Sequence, residues 1–212
     1  MRDIKGILLE PVGCLAEFPA GPFHEIAARL LSHRGKLGDS GSRFYWQLLD
    51  LVDEFTSQAE TLEIEAVNAS SVYEDIVPAL TELKAMGVHL SIASSLSGAA
   101  ITRFLEKHSL GEFFVGVWNR DNASGIKAVP LIRAMRDASL QPENVMFLTD
   151  TVEGIKVARS AGVHPILMMN DPDEARRLAM HRPAGGVVSL HEIPDFIRMI
   201  AAQNKRATEQ TV

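Results

Sequence analysis

The sequence predicts an α/β fold in which a parallel sheet is interrupted, after its first strand, by a helical insertion. Short apolar runs alternate with amphipathic stretches along most of the 212 residues, which is the pattern of strand–helix units in a parallel sheet. Residues 18–73 depart from that alternation. The composition, 46% hydrophobic and 23% charged, is typical of a folded globular chain, and the length fits one domain that carries an insertion.

The elements follow from apolar runs and helical spacing. Strands are predicted at residues 4–9, 88–93, 113–118, 144–148, 163–169 and 186–188. Helices are predicted at residues 78–86, 98–108, 129–138, 154–160 and 194–202. Gly87 and Gly162 mark the ends of two of these helices. The polar end, residues 203–212, predicts a flexible tail.

The insertion carries helical periodicity at residues 23–31 and 43–55 and contains no convincing strand. Gly35, Gly38 and Gly41 separate the two helical stretches. The second stretch has a wide apolar stripe, made of Phe44, Tyr45, Trp46, Leu48, Leu49, Leu51, Val52 and Phe55. We expect this stripe to pack the insertion against itself and the sheet domain. Contact with a substrate and a dimer interface are the two alternatives.

Charge and segment lengths argue against several classes of protein. The net charge is −6 and no dense run of Lys and Arg occurs, so we expect no nucleic-acid partner. The apolar stretches are far shorter than the roughly 18 residues that span a bilayer, so we expect a cytoplasmic protein with no membrane partner. Cys14 is the one cysteine, and no histidines stand at metal-ligand spacing, which argues against a disulfide and a zinc site.

Polar residues stand where the predicted strands end. Glu10 follows the first strand, Ser94 and Ser95 follow the second, Asp150 follows a later one, and Lys127 precedes a helix. Open α/β sheets bind their ligands in a crevice at the carboxyl ends of the strands. Carboxylates, hydroxyls and a lysine around one crevice are parts that recur in phosphoryl transfer with Mg²⁺. The sequence therefore predicts a phosphate-binding crevice.

The order of these residues resembles that of the haloacid dehalogenase-like (HAD) superfamily, most closely its phosphoglycolate-phosphatase-like members with a helical cap. The family's first motif is a strand followed by Asp-x-Asp-Gly-Thr-Leu, and its counterpart here is Glu10-Pro11-Val12-Gly13-Cys14-Leu15. The second, third and fourth motifs are matched by Ser94-Ser95, by Lys127 and by Thr149-Asp150. The resemblance implies a Rossmann-like, doubly wound parallel sheet with a small helical cap. It divides the chain into a core (1–17 and 74–202), a cap (18–73) and a flexible tail (203–212).

The resemblance also implies roles for the crevice residues. Glu10 and Asp150 are the catalytic pair, and Ser94, Ser95 and Lys127 bind the phosphate group. An ion pair between Lys127 and Asp150 is the alternative for that lysine.

Mg²⁺ is the cofactor that the resemblance implies. Its ligands in the family correspond to Glu10, the Val12 backbone carbonyl and Asp150. The family often has a second acid four residues after the motif-four aspartate, and Gly154 stands there in this chain. Glu153 is the neighbouring acid that takes its place as a predicted ligand, and an acid introduced at position 154 is expected to tighten the metal further.

The first motif departs from the family at three positions. The family's first aspartate attacks phosphorus, and Glu10 keeps that carboxylate but displaces it by one methylene. The second aspartate exchanges a proton with the leaving group and with water, which Val12 cannot do. Losing a general acid or base typically costs about 10²–10⁴ in rate, so we expect hydrolysis near background. Cys14 replaces a threonine and is interpreted as a small buried residue, with a reactive thiol as the alternative.

Three classes of function remain open at this point. The favoured one is a pseudoenzyme that binds a phosphorylated ligand or a protein partner without turning it over. The second is a Mg²⁺-dependent phosphatase that acts on a small phosphorylated metabolite through Glu10 and Asp150. The third is a structural or assembly protein that exposes the aromatic residues of the cap. Turnover separates the second class from the others, and ligand-dependent melting separates the first from the third.

Overall fold

A computed structural model describes residues 3–18, 52–169 and 172–209, and its centre is a six-stranded parallel sheet. In chain order the strands are β1 (Gly6–Leu9), β2 (Ala16–Glu17), β3 (Ser71–Val72), β4 (His89–Ala93), β5 (Gly116–Trp118), β6 (Val145–Thr149), β7 (His164–Met168) and β8 (Gly185–Val187). The central sheet has the order β5-β4-β1-β6-β7-β8, and β2 and β3 form a separate antiparallel pair. The predicted doubly wound parallel sheet is confirmed.

Helices connect these strands. They are α1 (Val52–Ala69), α2 (Ile76–Ala85), α3 (Gly98–His108), α4 (Arg120–Ala123), α5 (Ala128–Asp137), α6 (Val152–Ser160), α7 (Pro172–Ala179) and α8 (Ile193–Glu209). Short 3₁₀ turns stand at Gly111–Phe113, Pro142–Asn144 and Leu190–Glu192. Within the described ranges, no helix combines the length and the apolar character that crossing a bilayer requires.

The helices cover both faces of the sheet because successive side chains of a strand point to opposite faces. In β1, Ile7 and Leu9 belong to a core cluster shared with α2, α3 and α8. Leu8 lies in a second cluster, with Leu131 of α5 and Ala158 of α6. Burial on both faces explains why β1 reads as a continuous apolar run in the sequence.

The strand register determines which residues lie next to one another at the carboxyl ends of the central strands. β1 lies between β4 and β6, and Leu9 pairs with Ile92 on one side and with Leu148 on the other. Neighbouring strands lie about 4.8 Å apart. The residues that follow these three strands therefore emerge side by side at the middle of the sheet.

Most predicted elements are confirmed to within a few residues, and the differences have local causes. α8 continues to Glu209, so the predicted helix end at Ala202 is wrong, and most of the segment predicted as a flexible tail is helical. α7 was not predicted because its sequence is polar, and Leu178 is buried on it. The strand predicted from residue 113 begins at Gly116, after a 3₁₀ turn.

In the described part of the insertion, β3 is a strand that the sequence did not reveal. Ser71 and Val72 pair antiparallel with Glu17 and Ala16, so a two-residue ribbon brackets the insertion. A strand of two residues has no periodicity to detect, which is why the prediction of no strand between residues 18 and 73 was wrong. The helix predicted at 23–31 lies outside the described residues. The same is true of most of the helix predicted at 43–55 and of most of its apolar stripe.

Candidate active site

Two carboxylates stand at the carboxyl ends of adjacent central strands. Glu10 follows β1 and Asp150 follows β6, and these strands pair in parallel with Leu9 opposite Leu148. The predicted placement of the two acids at one edge is thus confirmed. Burial raises the pKa of the Glu10 carboxyl to about 8, and the negative charge of Asp150 adds to that shift. The two acids are therefore close enough to repel each other when both are ionised.

The loop after β1 is a tight turn that packs against Asp150. The N–H groups of Leu15 and Ala16 both donate to the Pro11 carbonyl, at 3.1 Å each, and the Gly13 N–H donates to the Ala16 carbonyl at 2.9 Å. Gly13 has φ +71°, and a Cβ built on it overlaps the Asp150 carboxylate. Glycine is required here both for the left-handed backbone and for the close approach of the carboxylate.

Cys14 is a buried neighbour of this acid pair rather than a reactive thiol. Its side chain is fully buried. Burial, followed by the charges of Asp150 and Glu10, raises the pKa of the Cys14 thiol well above its ordinary value. A thiol that keeps its proton is a poor nucleophile, so the geometry favours the small buried residue over the reactive alternative.

Val12 places a hydrocarbon where the resembling family has its proton-exchanging aspartate. Its side chain is partly buried and packs against the core cluster that contains Leu9 and Leu15. Valine neither donates nor accepts a proton. The interpretation of this loop as a first motif that lacks its acid–base group stays a prediction, as does the role of the Val12 carbonyl as a metal ligand.

The loop after β4 supplies the hydroxyl side of the crevice. Ser94 is buried, its N–H donates to the Trp118 carbonyl at 3.0 Å, and its Oγ accepts from the Leu96 N–H at 3.2 Å. Because the oxygen already accepts one bond, the hydroxyl is suited to donate its proton to a phosphate oxygen. The structure places Ser94 at the predicted edge, beside β1.

Ser95 supports Lys127. Its Oγ accepts from the Lys127 N–H at 2.7 Å, which joins the loop after β4 to the segment that enters α5. Lys127 has φ +61° and ψ −111°, a backbone conformation that non-glycine residues adopt at a cost of about 1–3 kcal/mol. Such a conformation persists when surrounding contacts hold it. The predicted contact of Ser95 with phosphate stays a prediction, and its hydroxyl already has a structural task.

A buried ion pair beneath this loop was missed by sequence analysis. Glu63 of α1 is fully buried, and its Oε1 accepts from Arg120 Nη1 at 2.5 Å. A sequence signal existed. Glu63 falls on the face of α1 that carries buried Ala59, Leu62 and Ala66, at the spacing expected for one helical face. An acid on an apolar face predicts a buried charge with a partner.

The fourth motif has little room for the second acid that the family often has. A Cβ built on Gly154 overlaps Thr149 Oγ1, so an acid at position 154 displaces Thr149. The expectation that such an acid tightens a metal site stays a prediction, and it requires Thr149 to move. Glu153 stands partly buried in the first turn of α6. The described part of the chain contains no group of three His, Cys, Asp or Glu side chains suited to one metal ion, so Glu153 as a ligand stays a prediction.

Known proteins resemble this chain in sequence. The sequence model of the haloacid dehalogenase-like hydrolase family matches residues 35–168. Phosphoglycolate phosphatase 1 from Pseudomonas aeruginosa is 25% identical over 147 residues, which are 66% of this chain and 54% of that protein. Enolase-phosphatase E1 from Shewanella loihica is 29% identical over 104 residues, 47% of this chain and 46% of that protein. The chain thus spans about half the length of the curated relatives it matches.

A solved structure resembles the chain over nearly its whole length. It is a haloacid dehalogenase-like family hydrolase from Streptococcus pneumoniae, with a TM-score of 0.71 and 16% sequence identity. The match covers 92% of this chain and 99% of that one. At this level of identity the likeness establishes the fold alone.

Proposed function

This chain belongs to the haloacid dehalogenase-like hydrolase family, and on that basis we propose that its crevice binds a phosphate monoester and hydrolyses it at close to the background rate. One observation carries the proposal. Val12 stands where the resembling family has its acid–base residue, while Ser94, the proposed phosphate donor, lies at the same end of the neighbouring strand β4. The names of the relatives, both phosphatases, support the class of ligand.

The binding half of this proposal rests on two groups. The Ser94 hydroxyl donates to one phosphate oxygen, and the Lys127 ammonium balances the phosphate charge. Both belong to segments that are held by hydrogen bonds, from Leu96 to Ser94 Oγ and from Lys127 N–H to Ser95 Oγ. Preorganised donors of this kind lose little freedom when a ligand binds.

A divalent cation fits the two carboxylates chemically. Glu10 and Asp150 offer the oxygen ligands that Mg²⁺ prefers. Burial is the main cause of the raised pKa of Glu10, and the charge of Asp150 adds to it; a positive charge between the two acids relieves their repulsion. We therefore propose Mg²⁺ as the cation and these two side chains as its protein ligands. When bound, the ion supplies charge neutralisation at the phosphoryl oxygens.

The low turnover in this proposal follows from proton handling. An alkoxide leaving group needs a proton as its bond to phosphorus breaks, and the aliphatic Val12 has none to give. The Glu10 carboxylate is also displaced by one methylene from the position of an attacking aspartate carboxylate. A misplacement of about 1 Å by itself costs on the order of 10²-fold in rate, and the missing acid costs about 10²–10⁴-fold.

A Mg²⁺-dependent phosphatase is the second candidate. Glu10 retains a carboxylate at the position of the attacking group, and Asp150 retains the motif-four acid beside it. In this alternative Glu10 attacks phosphorus, and a water molecule or the ligand itself supplies the leaving-group proton.

Two measurements on one preparation test the proposal. Hydrolysis of glycerol 2-phosphate, an alkyl ester, with Mg²⁺ is expected to stay near background, while the melting temperature rises with added orthophosphate because a ligand that binds only the folded state stabilises it. Turnover within about tenfold of an intact family member favours the phosphatase, since a missing general acid should cost more than that. No melting shift at millimolar orthophosphate contradicts the binding half.

A further inference from the structure

The Glu63–Arg120 pair reaches the backbone of the loop after β4 at two points. Glu63 Oε2 accepts from the Ser97 N–H at 3.0 Å, and Arg120 Nη1 donates to the Ser95 carbonyl at 3.1 Å as well as to Glu63. All four residues are buried. The pair therefore holds the backbone of this loop at Ser95 and Ser97, just C-terminal to Ser94.

The hydrogen bonds of the Glu63–Arg120 pair continue through Ser95 to Lys127. Ser95, whose carbonyl is held by Arg120, uses its Oγ to accept from the Lys127 N–H at 2.7 Å. Hydrogen bonds thus join α1, the loop after β4 and the segment 120–127, which are distant from one another in the sequence. They form a continuous path from Glu63 through Arg120 and Ser95 to Lys127.

Stability alone does not account for this arrangement. A buried ion pair contributes little net stability, because the desolvation of two charges offsets their attraction. Apolar residues of similar size are often as stable or more so. Unlike an apolar pair, the Glu63–Arg120 pair supplies directional hydrogen bonds to Ser95 and Ser97. The fixed positive φ of Lys127 is consistent with a segment that its surroundings hold in place.

We propose that Glu63 of α1, the helix at the end of the insertion, is a positioning residue for the phosphate-binding side of the crevice. It sets the placement of Ser94 and Lys127 through Arg120. This inference rests on the proposed function for its ligand. The part that concerns Lys127 does not depend on any ligand.

The test replaces the pair by apolar residues of similar size in the full-length chain. Glu63→Leu/Arg120→Met removes both charges together, so no unpaired buried charge is left and the protein is expected to keep its melting temperature. Glu82→Leu/Arg198→Met is the matched control. It removes an ion pair between α2 and α8, at the end of α2 that lies away from the crevice.

Two quantities are measured on both variants: the Kd for orthophosphate, by calorimetry, and the hydrogen exchange of the Lys127 amide. We expect the Glu63/Arg120 variant to bind orthophosphate about tenfold more weakly and to exchange the Lys127 amide about tenfold faster, with the control unchanged in both. The Lys127 amide donates to Ser95 rather than to either substituted side chain, so a merely local role leaves its exchange unaltered.

Each outcome decides between the two proposals. The positioning role is overturned if the Lys127 amide of the Glu63/Arg120 variant exchanges at the wild-type rate. It is also overturned if the wild type binds orthophosphate and the variant binds it with the same Kd. Faster exchange at Lys127 with no orthophosphate binding by the wild type supports the positioning role and contradicts the proposed function. If the double variant does not fold, Glu63→Asp takes its place, because it keeps the charge but shortens the reach by one methylene; the same two results are expected from it.

Discussion

The loops after β1 and β4 flank the same crevice but differ in what they retain. The loop after β1 packs Gly13 against Asp150, and it carries Glu10 and Val12 where the resembling family has two aspartates. The loop after β4 carries Ser94, the proposed donor to phosphate, and a buried ion pair holds its backbone.

This contrast separates two tasks of one site. In the proposed function, attack and proton transfer depend on the chemistry of a few side-chain atoms at Glu10 and Val12. We propose that ligand binding depends on donors in the loop after β4, and that it persists where turnover does not. Variants in both loops, and in the fourth motif beside them, test this separation.

Restoring the first motif is expected to have the largest effect. Glu10→Asp/Val12→Asp returns the attacking carboxylate and the proton-exchanging acid, and Mg²⁺-dependent hydrolysis of glycerol 2-phosphate should rise by about 10²-fold or more. Glu10→Asp alone should change the rate little, because the leaving group still lacks its proton. Position 154 stays glycine in this variant, because Thr149 fills the space beside it.

A melting curve accompanies that assay, because Val12 packs against the core and an aspartate there loses this packing. A folded double variant that stays at the wild-type rate would show that the crevice differs from a phosphatase in more than its first motif.

Gly13→Ala should strongly destabilise the protein. The new methyl group meets Asp150 in addition to the strain of φ +71°, and we expect a loss of about 2–4 kcal/mol in the free energy of unfolding. Gly87→Ala is the control, since Gly87 has φ +74° and nothing within 4 Å of its added Cβ. Denaturant unfolding measures both. Equal losses would show that Asp150 does not pack tightly on this turn.

Gly154→Ala tests the packing of the fourth motif. The added methyl group overlaps Thr149, so a loss of about 1–3 kcal/mol in the free energy of unfolding is expected. Gly111→Ala serves as the reference, because nothing lies within 4 Å of its added Cβ. If Gly154→Ala is as stable as the reference, position 154 has room for a second acid after all.

Ser94→Ala should have the smallest effect on stability and a selective effect on binding. It removes the proposed donor to phosphate together with the acceptor of the Leu96 N–H, so affinity for orthophosphate should fall by about tenfold for a loss of about 1 kcal/mol in the free energy of unfolding. Thr81→Ala, which removes a hydroxyl hydrogen bond on the exposed face of α2, is the comparison and should leave affinity unchanged. Equal affinities in the two variants would remove Ser94 from the proposed site.

The sequence predicts the sheet well because its strands are buried on both faces and read as apolar runs. It also predicts which acids meet, since Glu10 and Asp150 directly follow β1 and β6. It does not reveal contacts that depend on packing between distant segments, such as Gly154 against Thr149 or Glu63 with Arg120. The two-residue strand β3 was missed because its pairing with β2, and not its own residues, defines it.

Phosphorus-31 NMR of glycerol 2-phosphate mixed with the wild-type protein and Mg²⁺ tests whether binding persists without turnover, because one spectrum reports both. We predict a broadened or shifted ester resonance, from exchange with the crevice, and release of orthophosphate close to the rate without protein. A sharp ester line at its free position would show that the crevice does not bind the phosphate group. Orthophosphate release within about tenfold of an intact family member would show that Val12 and Glu10 have not silenced the site.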